Sequence, residues 1–183
     1  MEAISTLEEI ESYEHQRALV GVYVDHGYSR ERISWILEAR EGFDAHVGQH
    51  FHLLIPHKSG GYSMNQTNES HYGVKLAREI INELDIKHAE LPCIVFRATY
   101  DDKYFLKLGR MNKEETTDIL GRLCDLVVEK ATKGPNEPHE FRAWINMQAG
   151  NFLRRQKMLS VVGRSVPALS SFLGAAVDVS ELV

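Results

Sequence analysis

The stretch "LPCIVFRATYDDKYFLKLG", residues 91–109, constrains the fold more than any other. Two β-rich runs, 93–99 and 103–109, flank Tyr100-Asp101-Asp102. A connection that short can join only antiparallel neighbours, so the segment reads as a hairpin. Pro92 stands at its mouth. Proline tolerates the first position of a strand, where no ladder donor is needed. An X–Pro bond can also be cis at modest cost and then turns the chain sharply.

Upstream of the hairpin, strands alternate with helices. Residues 5–16 read as a short acidic helix. "RALVGVYVDHG", residues 17–27, is β-rich and ends in the turn residues Asp25-His26-Gly27. Ser29 suits the N-cap of a following helix carrying Ile33, Ile36 and Leu37. A second strand is expected in "HFHLLIPH", residues 50–57. The polar loop 58–70 follows, long for a connection in a compact domain. Helix returns over about 71–86, with Val74, Ala77, Ile80, Ile81 and Leu84 on one face. After the hairpin, Asn112 and Glu115 have capping-box spacing and start a helix to about 132. Gly134-Pro135 and Pro138 break it, and a helix resumes over about 138–159. From residue 17 the order is β-α-β-α-β-β-α. Alternation implies a parallel pair with right-handed crossover, and the hairpin adds antiparallel strands. The expected class is α/β with a mixed sheet.

Composition narrows the function classes. A net charge of −5 disfavours a general nucleic-acid binder. No run of eighteen apolar residues is present, so no membrane span is expected. The acidic N-terminus lacks the basic and apolar regions of a secretory signal. Cys93 and Cys124 lie far apart, as two reduced thiols of a cytoplasmic protein would.

The proline before the third core strand, the short hairpin, the strand ending in Gly109 and the helix after Asn112 together resemble the thioredoxin-like superfamily. The resemblance covers about residues 17–132. It implies a βαβαββα core, a cis proline at 92, and peptide or glutathione binding along the backbone before that proline. Residues 1–16 would be an N-terminal helix outside that core. Residues 133–183 would be a helical C-terminal extension, packed on the domain or forming an interface. One departure matters for chemistry. Redox members carry Cys-x-x-Cys between the first strand and first helix, where the helix N-terminus lowers the thiol pKa. Here Asp25-His26-Gly27-Tyr28-Ser29-Arg30 occupies that place without a cysteine. Dithiol exchange is therefore not expected.

Several residues carry two readings each. Ser29 is an N-cap first and a glutathione-transferase-type hydroxyl second, and Tyr28 could supply that hydroxyl too. Cys93 reads as a small apolar residue opening a buried strand rather than a reactive thiol. Cys124 reads as core. His50 and His52 would share one face of a strand, with His57 following, but no recognisable ligand spacing completes a metal set. These three are weak metal candidates and no cofactor is expected. His26 reads as a turn residue before a general base. "KSGG", residues 58–61, lacks the rest of a phosphate loop. Arg154, Arg155 and Lys157 read as a solvated basic face.

Ligands of open α/β sheets bind beyond the carboxyl ends of parallel strands. That end should collect residues 25–29, the 57–71 loop, Leu91 and Pro92, with Arg110 at the start of the last core helix. Leu91 would offer main-chain hydrogen bonds to an extended ligand. The expected binding residues are Asp25, His26, Tyr28, Ser29, Leu91, Pro92 and Arg110. Phe141, Trp144, Ile145, Phe152, Leu169, Phe172 and Leu173 need cover within the chain, in a homodimer or on a partner. The leading expectation is a redox-inactive protein-interaction module with a protein partner. A glutathione-transferase-like or other thiol-ligand enzyme is the first alternative. A metal- or anion-dependent enzyme using the histidines is the second.

Overall fold

Leu19–Val24 is buried at every position, as a strand covered on both faces must be. In the computed structural model, which describes residues 1–27, 30–58, 68–97 and 103–164 with side chains through residue 156, this run is the central strand. The strands are β1 (Glu2–Ile4), β2 (Leu19–Val24), β3 (Phe51–Pro56), β4 (Cys93–Arg97) and β5 (Lys103–Lys107). The helices are α1 (Leu7–Glu14), α2 (Arg30–Glu38), α3 (Arg40–Val47), α4 (Val74–Glu83), α5 (Lys113–Ala131) and α6 (Pro138–Arg164). The protein is thus α/β with a mixed sheet in the order β1-β3-β2-β4-β5. β3 is parallel to both β1 and β2. β4 runs antiparallel to β2 and pairs antiparallel with β5, giving the expected hairpin. Its connection, with Tyr100, lies outside the described residues.

The N-terminal segment differs from expectation. The acidic pattern predicts helix over 5–16, but helix occupies only Leu7–Glu14, and residues 2–4 form an edge strand on β3. Three residues are too few to show alternation, and their pairing partner lies some fifty residues away. The helix expected after Gly27 is divided into α2 and α3, with Ala39 between them. A compact unit spans Met1–Ala149, and a second begins at Gly150, so that boundary falls inside α6.

Both sheet faces are covered by matching stripes. On one face Val20, Val22 and Val95 meet Ile10 of α1 and Ile80 of α4 around a cavity of about 270 Å³. Leu76, Ala77, Ile80 and Ile81 form the buried stripe of α4, and each large apolar residue so buried contributes about 1.5–3 kcal/mol. Elsewhere in the core Phe51 lies edge-on to Phe43 of α3, 4.9 Å between ring centres, and Tyr104 stacks on Phe96 at 5.1 Å. Cys124 is buried in α5, as expected for a core residue.

Polar anchors fix the ends of the elements. Asn112 Oδ1 accepts from the Glu115 N–H at 2.8 Å, and Glu115 Oε2 accepts from the Asn112 N–H at 3.0 Å. The expected capping box therefore starts α5 and contributes about 1 kcal/mol. Arg17, just before β2, donates to the carbonyls of Pro135 at 2.9 Å and Ala131 at 3.0 Å. Its guanidinium also lies 4.0 Å from the centre of the Phe141 ring, holding the α5–α6 turn against the sheet. Buried Glu14 pairs with Arg97 at 2.8 Å, and Arg142 of α6 donates to the Glu14 carbonyl at 2.6 Å. Phe141 and Ile145 are buried within the first unit, while Leu169, Phe172 and Leu173 lie outside the described residues. Among the described residues no helix is long and apolar enough to cross a membrane.

Gly73 joins this framework to the end of β3. Its N–H donates to the Pro56 carbonyl at 2.9 Å. A Cβ there would stand 2.6 Å from the His57 carbonyl oxygen and 2.8 Å from the His57 nitrogen. Backbone cannot give way as a flexible side chain can. Gly73→Ala should therefore destabilise the chain by about 2–3 kcal/mol in urea unfolding. Gly121, inside α5 with nothing within 4 Å of a Cβ, is the contrast. Gly121→Ala should stabilise by about 0.5–1 kcal/mol.

Candidate functional site

The sheet directions bring all five strands to one end with a terminus there. β1, β2 and β3 all finish there, β4 begins there, and β5 returns to it. The end of β3 is sewn to its neighbours by main-chain bonds. His57 N–H donates to Ile4 O at 2.7 Å, and Lys58 N–H donates to His71 O at 2.8 Å. Asn68 caps the short 3-10 turn Glu69–His71, so both described edges of the 58–70 loop are fixed. Residues 59–67 of that loop lie outside the described residues.

Asp25 lies at the centre of this end and is buried, with 3% of its surface exposed. The Tyr72 hydroxyl accepts from the Asp25 N–H at 2.8 Å and donates to the Asp25 carbonyl at 3.1 Å. One side-chain oxygen therefore satisfies both main-chain groups where β2 ends and ladder partners run out. The Tyr23 hydroxyl donates to Asp25 Oδ2 at 3.2 Å, and Asp25 Oδ1 accepts from the Gly27 N–H at 3.2 Å. The latter is the turn in which an aspartate bonds to the backbone two residues on. Gly27 has φ +81° and faces Val74, so only glycine fits the bend. Burial pushes the phenol pKa of Tyr72 up, and burial followed by the nearby Asp25 pushes up that of Tyr23. Both phenols stay protonated and serve as donors.

The Leu91–Pro92 bond is cis, as the sequence leads one to expect. Pro92 O accepts from the Leu108 N–H at 2.8 Å, pairing the cis turn with the end of β5. The Leu91 N–H donates to His88 O at 3.2 Å, closing the 3-10 turn His88–Glu90. That donor, expected to face a ligand, is thus engaged within the turn. Arg32 of α2 reaches the far side of the same region. Its guanidinium donates to the carbonyls of Leu108, Met111 (3.0 Å) and Gly109 (2.9 Å). Arg110, the arginine singled out from sequence, is exposed in the adjacent turn.

The thiols and most histidines do not converge here as reactive groups. Cys93 is fully buried at the start of β4, and desolvation pushes its pKa up to about 12. Cys124 is likewise pushed up to about 12, chiefly by burial. A thiol held protonated is a poor nucleophile. His50 ends the 3-10 turn Gly48–His50 rather than sitting in the strand beside His52. His52 packs on Tyr13 with ring centres 5.1 Å apart, and burial lowers its pKa. His57, just past the end of β3, has Nδ1 2.6 Å from the Lys58 carbonyl. Among the described residues no three His, Cys, Asp or Glu side chains gather to hold a metal. His26 does find a partner: its Nε2 lies 2.8 Å from His88 Nδ1. Tyr28 and Ser29 lie outside the described residues.

Asp25, His26, Leu91 and Pro92 therefore share one end of the sheet. Tyr72, Tyr23, Arg32 and His88 were not anticipated. Each acts on a residue distant in sequence or on the strand interior, and no local spacing marks such a role. Comparisons of the chain with protein-family models, curated proteins and solved structures find no match.

Removing the Tyr72 hydroxyl would leave the Asp25 N–H and carbonyl buried without it. Tyr72→Phe should destabilise the chain by about 2–4 kcal/mol, whereas Tyr23→Phe, losing one longer bond, should cost about 1 kcal/mol. Urea unfolding of the two variants checks the ranking.

Proposed function

We propose that this chain is a redox-inactive member of the thioredoxin-like superfamily that works as a protein-interaction module. Its binding surface is the sheet end bearing residues 25–29, 57–71 and 91–92, with Arg110 at the margin. The observation that carries the reading is how the polar groups of that end are used. The Asp25 carboxyl and the Tyr72 and Tyr23 hydroxyls hold backbone and each other. Both thiols are buried and held protonated. Groups committed in this way shape a surface and do not attack a substrate. The mixed sheet and the cis Leu91–Pro92 bond support the superfamily assignment. An extended segment of a partner would lie along the cis turn, meeting exposed side chains such as His88 and Arg110 before main chain. The turn His88–Glu90 would have to release the Leu91 N–H for strand-like pairing to follow.

Site-resolved photo-crosslinking in the native host tests this. A crosslinking residue at Arg110 should capture a stoichiometric protein partner, and the same residue at exposed Arg122 on α5 should not. Capture from both positions alike, or from neither, would count against the surface. Retention of the untagged chain on immobilised glutathione would favour the thiol-ligand enzyme instead.

A further inference from the structure

Helix α1 turns toward the sheet a stripe that is half carboxylate. Leu7, Ile10, Glu11 and Glu14 follow the spacing of one helix face, and all four line the cavity between α1, α4 and the sheet. A stripe that only packs is apolar at such positions. Beneath it the floor is made of short side chains. Val22 and Val95 pair across β2 and β4, with Val20 on the same face, and about 270 Å³ is left unfilled.

The cavity combines two chemistries. The three valines are 2–5% exposed, and with Ile80 of α4 their side chains offer a ligand no hydrogen-bonding group. The exposed members of the lining, Glu8, Glu11 and Glu83 among them, stand where the cavity meets solvent. The nearby cations are already engaged. Arg97 pairs with Glu14 at 2.8 Å, Arg142 stands 3.8 Å from the same carboxylate, and Lys103 donates to the Leu84 carbonyl. Among the described residues no ion pair engages Glu11 or Glu83. Carboxylates over an apolar floor repel anions and concentrate cations at the mouth.

Volume sets the size of the guest. An apolar cavity of about 150 Å³ holds benzene, so about 270 Å³ takes about eight to ten heavy atoms. A lysine side chain, an ammonium on a four-carbon stem, would leave about half of that space empty. A sugar or nucleotide would bury polar groups against side chains that cannot pair them. A fatty acid would bring its carboxylate to the glutamates.

We propose that this cavity binds a free amphiphilic amine, with an alkyl chain of about eight carbons on the valine floor and the ammonium at Glu11 and Glu83. The site lies toward the start of β2 and the end of β4, whereas Asp25 follows the other end of β2. It therefore stands independently of whether a protein binds at the Asp25 end.

The test titrates the full untagged chain with n-octylammonium, read by calorimetry and methyl NMR. Octylammonium should saturate one site and move the methyl resonances of Val20, Val22 and Val95, leaving those of Val127, buried in α5, in place. Affinity should rise about four-fold per methylene from butyl- to octylammonium, with no further gain at dodecyl, which outgrows the cavity. Octanoate should bind at least about ten-fold more weakly. Glu11→Gln combined with Glu83→Gln, both at exposed positions, should weaken octylammonium about three- to ten-fold and leave octanol unchanged. Val95→Leu, which fills the floor by one methylene, should weaken octylammonium and octanol alike by at least about four-fold. Circular dichroism checks folding, and the surface double variant decides even if Val95→Leu unfolds. No saturable octylammonium binding in the millimolar range would overturn the proposal. So would octanoate bound as tightly as octylammonium, affinity still climbing at dodecyl, unmoved valine methyls, or wild-type affinity in the double variant.

Discussion

The Tyr72 hydroxyl holds the main chain of Asp25 at both its N–H and its carbonyl. At the end of β2 the sheet no longer supplies partners, and an unpaired buried amide costs about as much as a lost hydrogen bond. Tyr72 itself is placed by main-chain contacts. His57 bridges it, and Gly73 beside it bonds back to Pro56. The start of α4, the end of β3 and the turn after β2 are thus one connected piece. The bend at Gly27 and the position of His26 depend on it. On the other side, the cis turn is fixed to β5 through Pro92 and Leu108, and Arg32 gathers the carbonyls that follow.

This use of polar groups bears on chemistry. The hydroxyls and the carboxyl at the centre are spent on structure, and burial keeps the phenols and thiols protonated. Among the described residues, this end turns the His26–His88 pair and Arg110 toward solvent. The cavity between α1, α4 and the sheet lies apart from these groups, its apolar floor edged by glutamates and by Arg97, which Glu14 pairs.

Much of the framework was legible in the chain. The two β-rich runs after Pro92 forced a hairpin, and the spacing of Asn112 and Glu115 marked the start of α5. The apolar period of α4 was readable because a helix face repeats locally. β1 was not readable, since three residues carry no period and the strand exists through its pairing with β3. The site was legible only as a place. Topology gathered Asp25, His26, Leu91 and Pro92, but nothing in "ESHYGV" marks Tyr72 as the residue that holds Asp25. Arg32 was invisible for the same reason: its partners are carbonyls seventy-six or more residues away. The engagement of the Leu91 N–H by His88 needed the conformation of the turn, which sequence alone does not fix.

The sheet end is preassembled around the Tyr72–Asp25 clasp. Residue-resolved amide hydrogen exchange on the native chain tests it most directly. The Asp25 amide should exchange as slowly as the β2 amides beside it, through opening of the whole unit. An Asp25 amide that exchanges at the rate of an unstructured peptide while β2 stays protected would contradict the account.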